Sequence, residues 1–206
     1  MTIHHSPITD IPIMEAFYTL QGEGFHQGKA AYFIRLAGCD VGCVWCDVKE
    51  SWDDKKYPLQ SIEEIVAKAK EHPARLAVIT GGEPTLYNLE PLTFELKKEG
   101  FATNIETSGS SPLTGTWDWI CLSPKKFKPP LPEILKKAHE LKIIVFNKSD
   151  FLWAEKYAAV VSDACKLYLQ PEWGKAEKVT PGIIDYIKQN PKWELSLQIH
   201  KYINVP

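Results

Sequence analysis

No stretch of this 206-residue chain is apolar for long enough to cross a bilayer as a helix, which takes about 20 such residues. The segment from Met1 to Pro12 holds His4, His5, Pro7, Asp10 and Pro12 but no apolar core of a signal peptide. A cytoplasmic protein with no membrane role is therefore expected. Charge of one sign is also missing: 24 Lys and Arg stand against 26 Asp and Glu, a net charge of -2, so there is no electrostatic footprint for nucleic acid. Cysteine is scarce, and its count of five is odd, with three clustered. That argues against a disulfide framework and for a reducing compartment. No second Cys-x2-Cys pair and no His-x3-His is present, although zinc sites usually need one or the other. Repeats, linkers and low-complexity tracts are absent as well. With 44% hydrophobic and 24% charged residues, the chain has the balance of one soluble globular unit. We expect a single domain over 1–206 with an irregular segment at 1–12, and a small-molecule partner.

What is present centres on Cys39-Asp40-Val41-Gly42-Cys43-Val44-Trp45-Cys46. Three thiolates spaced C-x3-C-x2-C on a tight loop can hold three irons of a cubane and leave the fourth without a protein ligand. An open metal position invites a substrate or cofactor to bind metal directly. A zinc knuckle with an unrecognised fourth ligand, or three unrelated thiols, are the alternatives. Cys121 and Cys165 lie in apolar runs and read as core thiols.

Strands and helices alternate along the chain. Ile13 to Leu20 reads as extended and runs into Gln21-Gly22-Glu23-Gly24, where glycines permit a sharp turn or a close approach to a ligand. Ala31 to Ala37 is an apolar strand with one exception, Arg35. A buried arginine needs an anionic partner, either a substrate carboxylate or an internal acid. Val48 to Pro58 reads as a surface loop, and Ser61-Ile62-Glu63-Glu64 as a capping box. Strands follow at 74–79, 101–105, 117–122, 142–146, 166–169 and 194–199, and helices at 89–99, 131–140, 151–161 and 182–189. This rhythm predicts a parallel sheet with right-handed crossovers. With about seven strands, short of the ~8 of a closed barrel, an open partial (β/α) barrel with a mostly parallel sheet is expected.

The polar punctuation falls at the C-terminal ends of these strands, where parallel α/β folds build their sites. The cysteine loop, Gly81 to Pro84, Glu106 to Gly109, Ser123 to Lys125, Gln170 to Glu172 and His200 would ring one mouth. In the turn after Thr80, Gly81 and Gly82 would expose backbone polar groups, with Glu83 beside them as acceptor for an ammonium.

Together, the stretch Tyr18 to Gly24, the cysteine loop, Thr80 to Pro84, Glu106 to Gly109, Ser123 to Lys125, Gln170-Pro171 and Gln198 to Tyr202 resemble the 7-carboxy-7-deazaguanine synthase family of radical S-adenosylmethionine (SAM) enzymes. The resemblance runs from Glu15 through Tyr202. It implies a 4Fe-4S cluster on Cys39, Cys43 and Cys46, with the amino and carboxylate groups of SAM on the open iron. Gly81, Gly82, Glu83 and Pro84 would hold the methionyl ammonium, and Gly109, Ser123, Pro124, Lys125, Gln170, Pro171, Glu172 and Trp173 the rest of the cofactor. The 5'-deoxyadenosyl radical would abstract hydrogen from C6 of 6-carboxy-5,6,7,8-tetrahydropterin. Ring contraction and loss of ammonia would then give 7-carboxy-7-deazaguanine, on the way to queuosine or another 7-deazapurine. Leu20, Gln21, Gly22 and Glu23 would contact the pterin, Arg35 its carboxylate, Thr107 and His200 further polar groups, and Pro206 would reach the site with its carboxylate.

The family also implies a flavodoxin or ferredoxin as electron donor, and a homodimer. Its nearest rival is a glycyl-radical-enzyme activase, which shares the cysteine spacing but does not need the opening and closing motifs. A zinc-binding interaction module is the rival outside enzymes. One position departs from the family. A hydroxyl residue that helps bind Mg2+ often follows the Cys-Asp pair, and here that place is taken by Val48. Magnesium requires hard oxygen ligands, which valine's side chain does not offer. Weakened magnesium dependence is the expected outcome in turnover assays with and without chelator; a rate that collapses as steeply as in hydroxyl-bearing relatives would contradict it.

Overall fold

The structure is a computed structural model that describes residues 10–206. Its strands are β1 (Asp10–Leu20), β2 (Ala30–Leu36), β3 (Leu59–Ser61), β4 (Leu76–Gly81), β5 (Ala102–Thr107), β6 (Trp119–Leu122), β7 (Glu140–Val145), β8 (Lys166–Pro171) and β9 (Trp193–Leu195). The helices are α1 (Ile62–Lys70), α2 (Glu90–Lys98), α3 (Pro132–Lys137), α4 (Ser149–Ala158), α5 (Ala176–Gln189) and α6 (Ile199–Ile203). All nine strands form one sheet in the order β3-β1-β2-β4-β5-β6-β7-β8-β9. β1 runs antiparallel to both β2 and β3, and every pairing from β2 to β9 is parallel. The sheet does not close, so the expected open, mostly parallel α/β architecture is the one formed.

Several boundaries differ from the sequence reading. The count of about seven strands was low: the sequence reading holds eight extended runs, and a ninth strand, Leu59–Ser61, pairs with the start of β1 in a three-residue ladder too short to show periodicity. For the same reason Asp10, Ile11 and Pro12 are strand and not irregular; residues 1–9, including His4, His5 and Pro7, lie outside the described residues. The stretch read as a surface loop at 48–58 contains 3-10 turns at Lys49–Trp52 and Asp54–Lys56, and Ser51 inside it is buried. The helix expected to reach Glu140 stops at Lys137. Ala138 turns extended because His139 and Glu140 are already needed by the ladder, with His139 N–H donating to Ile120 O at 3.0 Å. α5 begins one turn before Pro181 and Gly182, the two weak helix formers that suggested a later start. The strand expected over 194–199 leaves the sheet at Leu195, and 199–203 is a short helix where no element was expected. Local signals that do hold are the Ser61/Glu64 capping box and the left-handed Gly100 that ends α2 (φ 79°).

Side chains alternate across each strand. On the convex face, Tyr32, Ile34 and Leu36 of β2 with Ala77 and Ile79 of β4 pack against α1 and α2. Leu141, Ile143 and Val145 of β7 with Leu169 of β8 join the cluster under α3, α4 and α5. The other set points to the concave face. Near β1 that face is apolar, with Phe17 stacked on Phe33 at 5.4 Å between centroids. Further along it is polar, and there the cavity lies. No helix among the described residues is long and apolar enough to cross a membrane.

Candidate active site

A cavity of about 270 Å³ opens at the C-terminal ends of the parallel strands. Cys39, Cys43 and Cys46 all line it, and all are free thiols. Their loop is held by backbone bonds: Gly38 N–H to Ser51 O at 2.6 Å, Cys39 N–H to Trp52 O at 3.2 Å, and a turn closed by Cys46 N–H to Cys43 O at 3.1 Å. The Gly81-Gly82 segment braces it from β4. Gly82 N–H donates to Leu36 O at 3.0 Å and Glu83 N–H to Gly38 O at 2.8 Å. A Cβ on Gly82 would lie 2.1 Å from Gly38 O, so only glycine permits this approach. Those two N–H groups are therefore taken up by Leu36 and Gly38 and are not among the backbone groups this turn can offer a ligand.

The donor chemistry fits a multi-metal cluster. Among the described residues no group of three or more His, Cys, Asp or Glu converges to hold a single ion, yet three thiols share one cavity wall. Cubane ligands sit on separate irons, so they need no common centre. Burial raises the Cys39 thiol and pushes that of Cys43 up to about 11, so binding metal there releases protons. Cys121 and Cys165 are buried, as expected.

Of the residues assigned to the cofactor, Gly81, Gly82, Glu83, Ser123, Lys125, Gln170, Pro171, Glu172 and Trp173 line the cavity. Pro84, Gly109 and Pro124 do not. Pro84 starts a buried 3-10 turn, and Gly109 (φ 73°) sits where an added Cβ would run into Leu122 and Pro130. Glu83 is 1% exposed, and its carboxylate accepts from Thr85 N–H at 3.1 Å, Thr85 Oγ1 at 2.7 Å, Ser108 N–H at 2.8 Å and the hydroxyls of Thr107 and Ser108. It offers a ligand negative charge more than a vacant acceptor. Lys125 Nζ donates to Ser123 O and Oγ at 2.6 and 2.7 Å and lies 5.7 Å from the Trp45 ring.

The residues assigned to the substrate, Leu20, Gln21, Gly22, Glu23, Arg35, Thr107, His200 and Pro206, all line the cavity. Arg35 does have an internal acid: its Nε donates to Glu15 Oε1 at 2.6 Å. The internal-acid reading is therefore the one observed, and Arg35 also lines the cavity. Pro206 O accepts from Thr19 Oγ1 at 3.1 Å. His200 sits against Gly22, where an added Cβ would be 2.0 Å from its Nδ1, and Ile199 N–H donates to Gly22 O at 3.0 Å. Burial lowers the His200 pKa below 6.5, so its ring is neutral at pH 7.

Sequence reasoning missed the centre of this wall. Lys142 Nζ donates to Glu23 Oε2 and, at 3.3 Å, to Glu106 Oε2. Gln21 Nε2 donates to Glu106 Oε1 and Gln198 Nε2 to Glu23 Oε1, both at 2.8 Å. Burial alone would raise the Glu23 carboxyl, but the Lys142 ammonium more than offsets it and holds the acid at about 2. The available signal was the alternation Glu140-Leu141-Lys142-Ile143-Ile144-Val145, obscured when Glu140 was given to a helix.

Comparison with known proteins gives a consistent result. The model of the Radical SAM superfamily matches residues 33–147. The 7-carboxy-7-deazaguanine synthase of Flavobacterium psychrophilum is 55% identical, covering 95% of this chain and 93% of that protein. The enzymes of the same name from Synechocystis sp. and Escherichia coli are 48% and 38% identical over 94% of this chain. The crystal structure of QueE from Escherichia coli superposes with a TM-score of 0.81 at 35% identity, covering 91% of this chain and 93% of that one.

Gly22→Ala should displace His200 and α6 from the cavity wall. A fall in substrate affinity of about tenfold or more, with iron uptake unchanged, is expected from steady-state kinetics and iron assay; wild-type kinetics would contradict the packing described.

Proposed function

The chain belongs to the 7-carboxy-7-deazaguanine synthase family of the radical SAM superfamily, and on that premise we propose how its cavity divides the work. The protein is a radical SAM lyase of 7-deazapurine biosynthesis, forming 7-carboxy-7-deazaguanine from 6-carboxy-5,6,7,8-tetrahydropterin with loss of ammonia. The observation that carries the reading is that three thiols and an array of acids and amides share one cavity.

In this reading Cys39, Cys43 and Cys46 hold a 4Fe-4S cluster. The charge of Glu83 and the backbone of Gly81 and Gly82 orient the methionyl ammonium of SAM. Ser123, Lys125 and the stretch from Gln170 to Trp173 enclose the remainder, while Pro84, Gly109 and Pro124 support that wall from behind. When bound, cluster and SAM would supply the one-electron chemistry needed to remove hydrogen from C6 of the pterin. The protein's own task is placement. Gln21 and Glu23 receive the N–H groups of the pterin, with Leu20 and Gly22 against the ring. Arg35, oriented by Glu15, points a cation at the substrate carboxylate. Thr107 and the neutral His200 add polar contacts, and Pro206 closes the rim beside Thr19.

Val48 lines the cavity without offering a side-chain oxygen, so the reduced need for Mg2+ stands as part of this proposal. A flavodoxin or ferredoxin as reductant, assembly as a homodimer, and action of 1–206 as one domain belong to it on family grounds.

Mass spectrometry of products tests the reading, after anaerobic incubation of iron-reconstituted protein with SAM, reductant and 6-carboxytetrahydropterin. Formation of 7-carboxy-7-deazaguanine is expected, and its loss together with the iron in Cys43→Ser. If wild-type protein yields 5'-deoxyadenosine alone, the cluster and cofactor assignments hold and the substrate assignment fails.

A further inference from the structure

Lys142 is 3% exposed, sits mid-strand on β7 and faces the concave side of the sheet. A lysine in such a place must be paired, because an unpaired buried ammonium is costly. Its partners come from separate elements: Glu23 from the turn after β1 and Glu106 from β5. Glu140 on its own strand and Cys121 on β6 also lie close enough to act on it, and Lys125 is a second cation within electrostatic reach. Gln170 from β8 and Gln198 reach Glu23, and His200 faces Glu23 and Glu106 across the cavity.

Two carboxylates on one concave wall repel each other, and without a cation one of them holds its proton to higher pH. A protonated acid donates where it should accept. The aminopyrimidine edge of a pterin presents N–H groups, so the wall reads it only with both acids ionised. The geometry points to Lys142 as the positioning residue that keeps Glu23 and Glu106 a pair of ionised acceptors for the N–H edge of the substrate. The inference rests on the pterin reading above and adds to it a residue that never touches the reacting atoms. Lys142 also fixes the direction of the two acids, since its ammonium draws Oε2 of each to one point while Gln198 and Gln21 hold the Oε1 atoms. In the intact protein Glu23 and Lys142 keep their charges across the neutral range, because the Lys142 ammonium holds Glu23 at about 2 and the acids around Lys142 hold it well above the usual lysine range.

The test is equilibrium binding of 6-carboxytetrahydropterin to the anaerobic holoenzyme with SAM and no reductant, from pH 6 to 9, for wild type, Lys142→Met and Lys142→Arg. Expressing each variant's affinity relative to wild type at the same pH cancels titration of the ligand itself. Lys142→Met should bind about 10- to 100-fold more weakly at pH 6, the worth of one bond to a charged group. Its affinity should recover toward wild type as pH rises and the shared proton leaves. Lys142→Arg keeps the charge and should show a ratio independent of pH. Iron content and uncoupled 5'-deoxyadenosine formation should match wild type in both. A Lys142→Met ratio that is unity throughout, or equally depressed at every pH, would overturn the inference, as would a pH-dependent ratio in Lys142→Arg. Absence of pterin binding by wild type would instead overturn the substrate reading, and this inference with it.

Discussion

A parallel sheet covered by helices on one side, and not closed into a barrel, leaves a concave face that must be filled by something other than helices. Here the convex face takes most of the aliphatic side chains of β2, β4, β7 and β8, and the concave face takes what remains. Near β1 that is an aromatic stack, Phe17 on Phe33; beyond it the face is ionic, with Lys142 between Glu23 and Glu106. An ionic group in such a place is tolerated only when its partners are fixed in direction and number. The amides of Gln21 and Gln198 supply that fixing, and both belong to segments outside the parallel strands. The fold and the site are thus joined at one cluster: the curvature creates the cavity, and the buried charges lie in its wall.

The cysteine loop depends on a second restraint, this one made of backbone. Gly82 and Glu83 extend the ladder of β4 past its last paired residue and bond to Leu36 and Gly38 at the root of the loop. Side chains close it from outside: Lys128 on Asp40 at 2.5 Å, and Lys201 on Asp47 at 2.9 Å with its Nζ 5.0 Å from the Trp173 ring. The short terminal helix α6 therefore serves both walls, touching Asp47 through Lys201 and Gly22 through His200. Exposed ion pairs of this kind contribute little singly. Their effect here is to set register between segments far apart in the chain.

How much of this could be read from the residues follows from how local each signal is. The capping box at Ser61, the glycine that ends α2 and the alternation of strand and helix are contacts between near neighbours, and they gave the fold class correctly. The site motifs were legible because they fall at strand ends in a parallel fold, so order along the chain predicts nearness in space. Lys142 escaped because its meaning depends on partners 119 and 36 residues away. α6 escaped because 199–203 is too short for helical periodicity to show, and its position is set by contacts with the cysteine loop and the turn at Gly22. The occupation of the Gly82 and Glu83 N–H groups was likewise invisible, since glycine announces freedom of approach but not which neighbour approaches.

The central claim is that one cavity holds a cluster on three thiolates facing a wall of paired acids that reads the substrate. Anomalous diffraction at the iron edge, from anaerobic crystals of the reconstituted protein grown with SAM and 6-carboxytetrahydropterin, addresses it in one experiment. Iron density within bonding distance of the sulfurs of Cys39, Cys43 and Cys46, with the pterin N–H edge on Glu23 and Glu106 and its carboxylate on Arg35, is the predicted result. Iron held elsewhere, or a pterin that touches neither acid, would contradict the account.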